Sequence, residues 1–406
     1  AELTVKDGRV EPTVTVDCQD VSFAYHKFPY RLQRGQGRIN LVGNVLTFTN
    51  FTAQAQGQKV LMSGEFHNPG PESTGWLNIH SAGPVQLTEN DALVQAMNDS
   101  GQRIMHSLHP TGMVTLRKGR IEKHHANGPT HKRFEVDVQG MSMQYDKFPY
   151  PFKRITGSIT VVDRHWTFSN LRGYHGSSEI RAGGDWRPMP NGTEGGTLTL
   201  HFEGRDVPLD DDLQRAVGTL SEGAQKLWQN VRPRGTVDDL TVHLVFASPT
   251  KKTSLNIRAE KRQDSHRVES RSVSIQPTWL PGRLDDIVGL ATYDDGKFSL
   301  HNVRALHGDS RVEVTGNGSL NGQRQWRLHL TRAIVDRFQM DQRVVEFLPD
   351  RMEAAVRQLN LRGPLSLNGS VWFGGGPSQP VQIGWDVLLD IENVSTSTAI
   401  GFEHIH

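Results

Sequence analysis

Apolar and polar residues alternate with a period of two through most of this chain. Phe134 to Val138, Thr156 to Val161, Trp166 to Leu171 and Thr197 to Phe202 each set apolar side chains against polar ones in turn, the pattern of a strand with one buried face. Turn-forming residues separate them: Asp163-Arg164, Gly176-Ser177, Gly183-Gly184 and the Pro-, Asn- and Gly-rich stretch from Arg187 to Gly196. Connections this short predict hairpins, and successive hairpins predict an antiparallel meander.

In three places the spacing becomes helical. Asp210-Asp211-Asp212 suits a helix start, and Leu213, Val217, Leu220 and Leu227 fall mostly on one face, which predicts a helix over about 210–230. Leu93, Met97, Ile104 and Leu108 predict its counterpart over about 88–108. Val344, Leu348, Met352, Val356 and Leu359 predict a third over about 341–359, kinked or split at Pro349. A glycine opens a new strand after each, at Gly112, Gly235 and Gly363.

These elements recur. Phe28-Pro29-Tyr30 returns as Phe148-Pro149-Tyr150, and Phe48-Thr49-Asn50-Phe51 as Phe168-Ser169-Asn170-Leu171, both at an offset of 120 residues. A further offset of 132 reaches Phe298-Ser299-Leu300-His301-Asn302-Val303. Thr4 to Val10 also matches Thr115 to Ile121. The implied division is 1–111, 112–234 and 235–362, with 363–406 beginning a fourth unit, and the full protein is expected to continue in both directions. Such repeats stack and bury their apolar faces on neighbours, which favours an elongated, mostly β architecture with one amphipathic helix per unit.

The apolar positions of these strands share a face. Ile39, Leu41, Leu46 and Phe48 form it in the first copy, and Ile159, Val161, Trp166 and Phe168 in the second. Ala291, Tyr293, Phe298 and Leu300 form it in the third, and Val242, Leu244 and Phe246 make another row. Such a face must be covered. A second sheet would give closed sandwich or α+β modules; a helix would cover part of it; an uncovered face would leave an open groove suited to an acyl chain. Periodicity leaves the three open.

Composition narrows the functions. Apolar residues make up 35% of the chain, and no run approaches the roughly 18 needed for a spanning helix. Ala1 to Lys6 lacks the basic start and apolar core of a signal peptide. With 45 basic against 44 acidic residues, no net field draws the chain to nucleic acid or to an anionic membrane surface. Cys18, the lone cysteine, has no internal disulfide partner.

No catalytic signature is present: no Gly-x-Ser-x-Gly, no His-Glu-x-x-His and no Cys-x-x-Cys. Gly289 to Lys297 resembles a phosphate loop only loosely, since Phe298 stands where Ser or Thr belongs. His124, His125 and His131 are the densest histidine cluster, in an apparent insertion read as a solvated loop rather than a metal site. The aromatic-proline segments Tyr25 to Tyr30 and Tyr145 to Pro151 read as fixed bends whose rings cover a seam. The expectation is a protein that is not an enzyme and takes no metal or cofactor.

Taken in order, Tyr-x-x-Phe-Pro-Tyr, a Gly-x-Ile-x-Val strand, a strand closing on Phe-x-Asn-Leu, a Gly-rich strand near Gly183, a Leu-Asp-Asp-Asp-Leu helix and a Pro-x-Gly strand resemble the repeats of large AsmA-like envelope proteins of diderm bacteria, nearest to long planctomycete-type members. The resemblance implies an open β-groove in the periplasm, anchored to the inner membrane by a segment outside this sequence. It implies partners too: phospholipid acyl chains, shielded in the groove on their way to the outer membrane, with membrane contact made elsewhere in the full-length protein. The rivals are a structural or adhesive envelope repeat protein and a carbohydrate-binding or hydrolytic repeat surface.

Overall fold

A computed structural model describes all residues except 1, 7–8, 26–27, 71, 90, 191–192, 221, 264–270, 281, 322–324, 340–363, 377–378 and 391–406. The fold is mostly β, antiparallel and open rather than closed into a barrel, with strands in 71% of it and few helices. The chain divides into two compact units. One comprises 1–176, 180–201 and 245–252, the other 177–179, 202–244 and 253–406.

In the first unit a meander runs in chain order through β1 (Glu2–Lys6), β2 (Arg9–Tyr25), β3 (Phe28–Val42), β4 (Val45–Ala55), β5 (Gln58–His67) and β6 (Thr74–Ser81). β7 (Val85–Thr88) follows β6 end to end, and both pair with β8 (Thr111–Lys123), so the chain between β7 and β8 makes an excursion at one end of the sheet. That excursion holds α1 (Ala92–Gln95) and α2 (Asp99–Leu108). The meander resumes through β9 (His131–Tyr145), β10 (Phe148–Val162) and β11 (His165–His175).

β12 (Ser178–Pro188) and β13 (Gly196–Pro208) lead to α3 (Asp211–Leu220), α4 (Glu222–Val231) and β14 (Thr236–Ala247). In the second unit β15 (Lys252–Lys261) and β16 (Val273–Ile275) both pair with β17 (Leu284–Asp294). An antiparallel run then continues through β18 (Lys297–His307), β19 (Ser310–Leu320), β20 (Trp326–Gln339), β21 (Pro364–Gly376) and β22 (Gln379–Asp390).

The recurring motifs encode β-bulges. At Asn50, Asn170 and Asn302 the backbone enters the left-handed region, with φ of 51°, 52° and 47°. Phe48 lies opposite Gly64 and Phe51 opposite Met62, three residues of β4 against two of β5. The extra residue would otherwise turn Phe51 to the other face, since side chains alternate with period two; the bulge returns it to the face of Phe48. A second bulge sits on the preceding strand of each copy, at Arg34, Arg154 and Asp286, with φ of 52°, 54° and 49°. Beside them Gly37, Gly157 and Gly289 have φ of 145°, 142° and 135°. A Cβ there would come within 3.0 Å of Phe51 Cα, 2.9 Å of Leu171 Cα and 2.8 Å of Val303 Cα, so the bulged backbone presses where only glycine fits.

The dry core of the first unit lies on the helical side of these bulges. Leu32, Phe51, Ala53, Ala55, Val60 and Met62 form one buried cluster. α1 rests against β3 and β7 and buries Val94.

Several expectations change. The helix expected over 88–108 is two helices, because the Asn98 side chain accepts the Gly101 N–H and starts a new one. That over 210–230 is likewise two, and the expected Asp210 start is met by its carboxylate accepting the Leu213 N–H. The helix expected over 341–359 lies outside the described residues. Gly183-Gly184 is the middle of β12, not a turn; a Cβ on Gly184 would stand 2.1 Å from Thr199 O, so close approach of backbone explains the glycine. Thr4 to Val10 runs from β1 into β2, whereas Thr115 to Ile121 lies within β8, so that match does not pair equivalent strands. Tyr25 pairs with Phe28 and Tyr145 with Phe148, which makes the aromatic-proline motif the flank of a tight hairpin.

Candidate functional site

Strand pairing joins the expected apolar residues into rows. In the first unit Ile39 lies opposite Phe48, Leu41 opposite Leu46, Ile159 opposite Phe168 and Val161 opposite Trp166. Residues outside the expected set extend the strip: Val16 pairs with Ile39, Leu77 with Ile121, Leu116 with Val136, and Val136 with Ile159. The same alternation that marks Ile39 marks these residues too; only their register was hidden. Phe48 lies over Gly64, whose Cβ would stand 2.8 Å from its ring. Glycine on one strand thus makes room for an aromatic ring from the next.

The second unit holds the same arrangement. Tyr293 pairs with Phe298 and Ala291 with Leu300; Phe298 lies over Gly318, Leu328 pairs with Phe373, and Leu330 with Val371. Val242 and Leu244 belong to this unit and Phe246 to the first; all three are half-buried.

The strip is not sealed. Ile39, Leu41, Leu46, Phe48, Ile159, Phe168, Phe298 and Leu300 are all only half-buried, Val161 is buried, and Trp166 and Val16 keep 40% and 48% of their surface exposed. On the same face, across the bulge, Phe51 keeps 4% and Ala53 2%.

The opposite face of the first unit is mostly polar and laced with cross-strand contacts, with Val42, Val45, Trp76 and Val162 among its apolar exceptions. Arg38 pairs with Asp17 at 2.7 Å and holds its carboxyl below the ordinary range by donating hydrogen bonds to it. Thr15 donates to Asn40, Arg117 pairs with Asp137 at 3.0 Å, and Arg120 donates to Asn78. The two faces therefore offer water and apolar matter quite different surfaces.

The histidine cluster is exposed. His124 lies 3.8 Å from Glu122, His131 3.3 Å from Asp163, and the two imidazoles are 6.2 Å apart. Asp163 also accepts the Lys132 N–H, which, ahead of His131, keeps its carboxyl low. This is a charged end of the β8–β9 hairpin, consistent with a solvated loop. In the second unit one buried polar anchor is Asp238, 1% exposed, which accepts from Lys261 at 2.9 Å and from the Arg262 N–H at 2.8 Å. Among the described residues, no helix is long and apolar enough to cross a membrane.

Comparison with known proteins returned no match to a family model, a curated protein or a solved structure.

Proposed function

We propose that this chain shields lipid acyl chains on its apolar strip, as part of an AsmA-like envelope protein that moves phospholipid between membranes through the periplasm. Inner-membrane anchoring would be supplied by parts of the protein outside this sequence. The carrying observation is the strip itself: paired apolar residues cross strand after strand of one face and stay half-exposed, while the other face is mostly polar. Strands lie about 4.8 Å apart, so the path from β2 to β11 is about 38 Å along the first unit's sheet. That exceeds one leaflet's acyl length of about 15 Å. At about 0.8 kcal/mol per buried methylene, such a surface holds a tail without specific contacts and lets it slide.

A non-catalytic scaffold or adhesive repeat is the second reading, favoured by the dry cluster around Phe51, which the protein seals by itself. Purification without detergent followed by mass spectrometry separates the two. Co-purified phospholipid, lost in the paired variant Ile39→Asp with Phe168→Asp while the circular dichroism of the fold persists, is the expected result. Absence of lipid from the unmodified protein would leave the scaffold.

A further inference from the structure

The helical excursions of the two units end alike, with one chemical difference. α2 closes on His109, whose backbone is left-handed at φ 44° and donates to Met105 O at 3.0 Å. α4 closes on Arg232, at φ 48°, whose N–H donates to Trp228 O at 2.7 Å. Pro110 and Pro233 follow.

His109 is gripped from both sides. Its Nδ1 lies 2.6 Å from Glu89 Oε2, in the connection from β7 to α1, and its Nε2 lies 2.8 Å from Asp146 Oδ1, in the β9–β10 turn. The same turn docks on the last turn of α2 by its backbone, Asp146 N–H to Ser107 O at 3.0 Å. A neutral imidazole carries one N–H, so it can donate to one carboxylate and must point a lone pair at the other; an imidazolium donates to both.

We infer that His109 is a proton-operated clasp that fastens α2 to Glu89 and Asp146 when charged and loosens when neutral. The other titratable or charged groups on these elements are Asp99, Arg103 and His106 on α2, Asp91 beside Glu89, and Tyr145 and Lys147 flanking Asp146. Asp91 is occupied by the Thr88 N–H. The hydrogen bonds to Asp146 and then Glu89 raise the histidine's pKa above its ordinary 6.5, against a smaller opposing effect of burial. A raised folded-state value means the contribution is complete below pH 6.5 and is lost as pH climbs through the elevated pKa. At the corresponding position the second excursion has Arg232 and no imidazole, so α4 serves as the reference segment.

The inference stands independently of the lipid reading, and hydrogen exchange on the whole chain tests it. With amide rates corrected for their intrinsic pH dependence, protection of Asp99 to Leu108 should fall severalfold relative to Glu222 to Val231 as pH rises from about 5 to about 9. His109→Arg should abolish that fall, and His109→Gln should give weak protection at every pH. Parallel behaviour of the two segments in the unmodified protein overturns the clasp. So does a His109 titration, followed by NMR, at or below the ordinary histidine value.

Discussion

Strand β4 contains two environments a few residues apart. Leu46 and Phe48 are half-exposed, while Phe51, Ala53 and Ala55 on the same face are buried. The residue between them, Asn50, carries the bulge. Strand propensity and hydrophobicity do not distinguish these halves; what covers them does. The difference teaches that one apolar face can serve two purposes when a bulge bends the strand, one part closing a core beside the helices and the other staying open.

Substitution should expose this contrast, the largest loss coming from the dry half. Phe51→Ala should cost about 3–5 kcal/mol in denaturant unfolding, the range for emptying a packed aromatic site. If the strip is open, Phe48→Ala should cost less, about 1–2 kcal/mol, because that ring, although packed against the Phe51 cluster, keeps part of its surface in water; equal losses would mean the strip is sealed. Gly157→Ala falls between them, at about 2–3 kcal/mol, since alanine is strained at φ 142° and its Cβ would meet Asn170 O at 2.8 Å. A neutral outcome there would mean that the backbone at the Asn170 bulge does not require a glycine opposite it. On the polar face, Arg38→Ala should leave the unfolding midpoint unchanged, because both it and its partner Asp17 are exposed and such pairs are screened.

Part of this was readable in advance. The offsets of 120 and 132 that join Asn50, Asn170 and Asn302 place them at the same kind of bulge, and the alternation around Ile39 and Ile159, and separately around Leu300, identifies residues that share a face within their own unit. The bulges were missed, although a signal existed. Phe48 and Phe51, like Phe152 and Ile155, are apolar at an odd spacing, which a regular strand cannot put on one side. The split helices were missed because apolar spacing runs through Asn98, and only its hydrogen bond to the Gly101 N–H shows that a second helix begins there. His109 gave no signal at all, because Glu89 and Asp146 lie 20 and 37 residues away along the chain.

By itself the sequence determined local matters: strand period, most hairpin turns, the Asp210 helix start and the sidedness of apolar residues between bulges, all of which follow from interactions among near neighbours along the chain. Tertiary structure alone decided which rows join across strands, where glycine yields to an aromatic ring, and which stretch of the shared face is dry. Those outcomes depend on register and on backbone brought together from distant positions, and exposure to water is a property of that assembled surface.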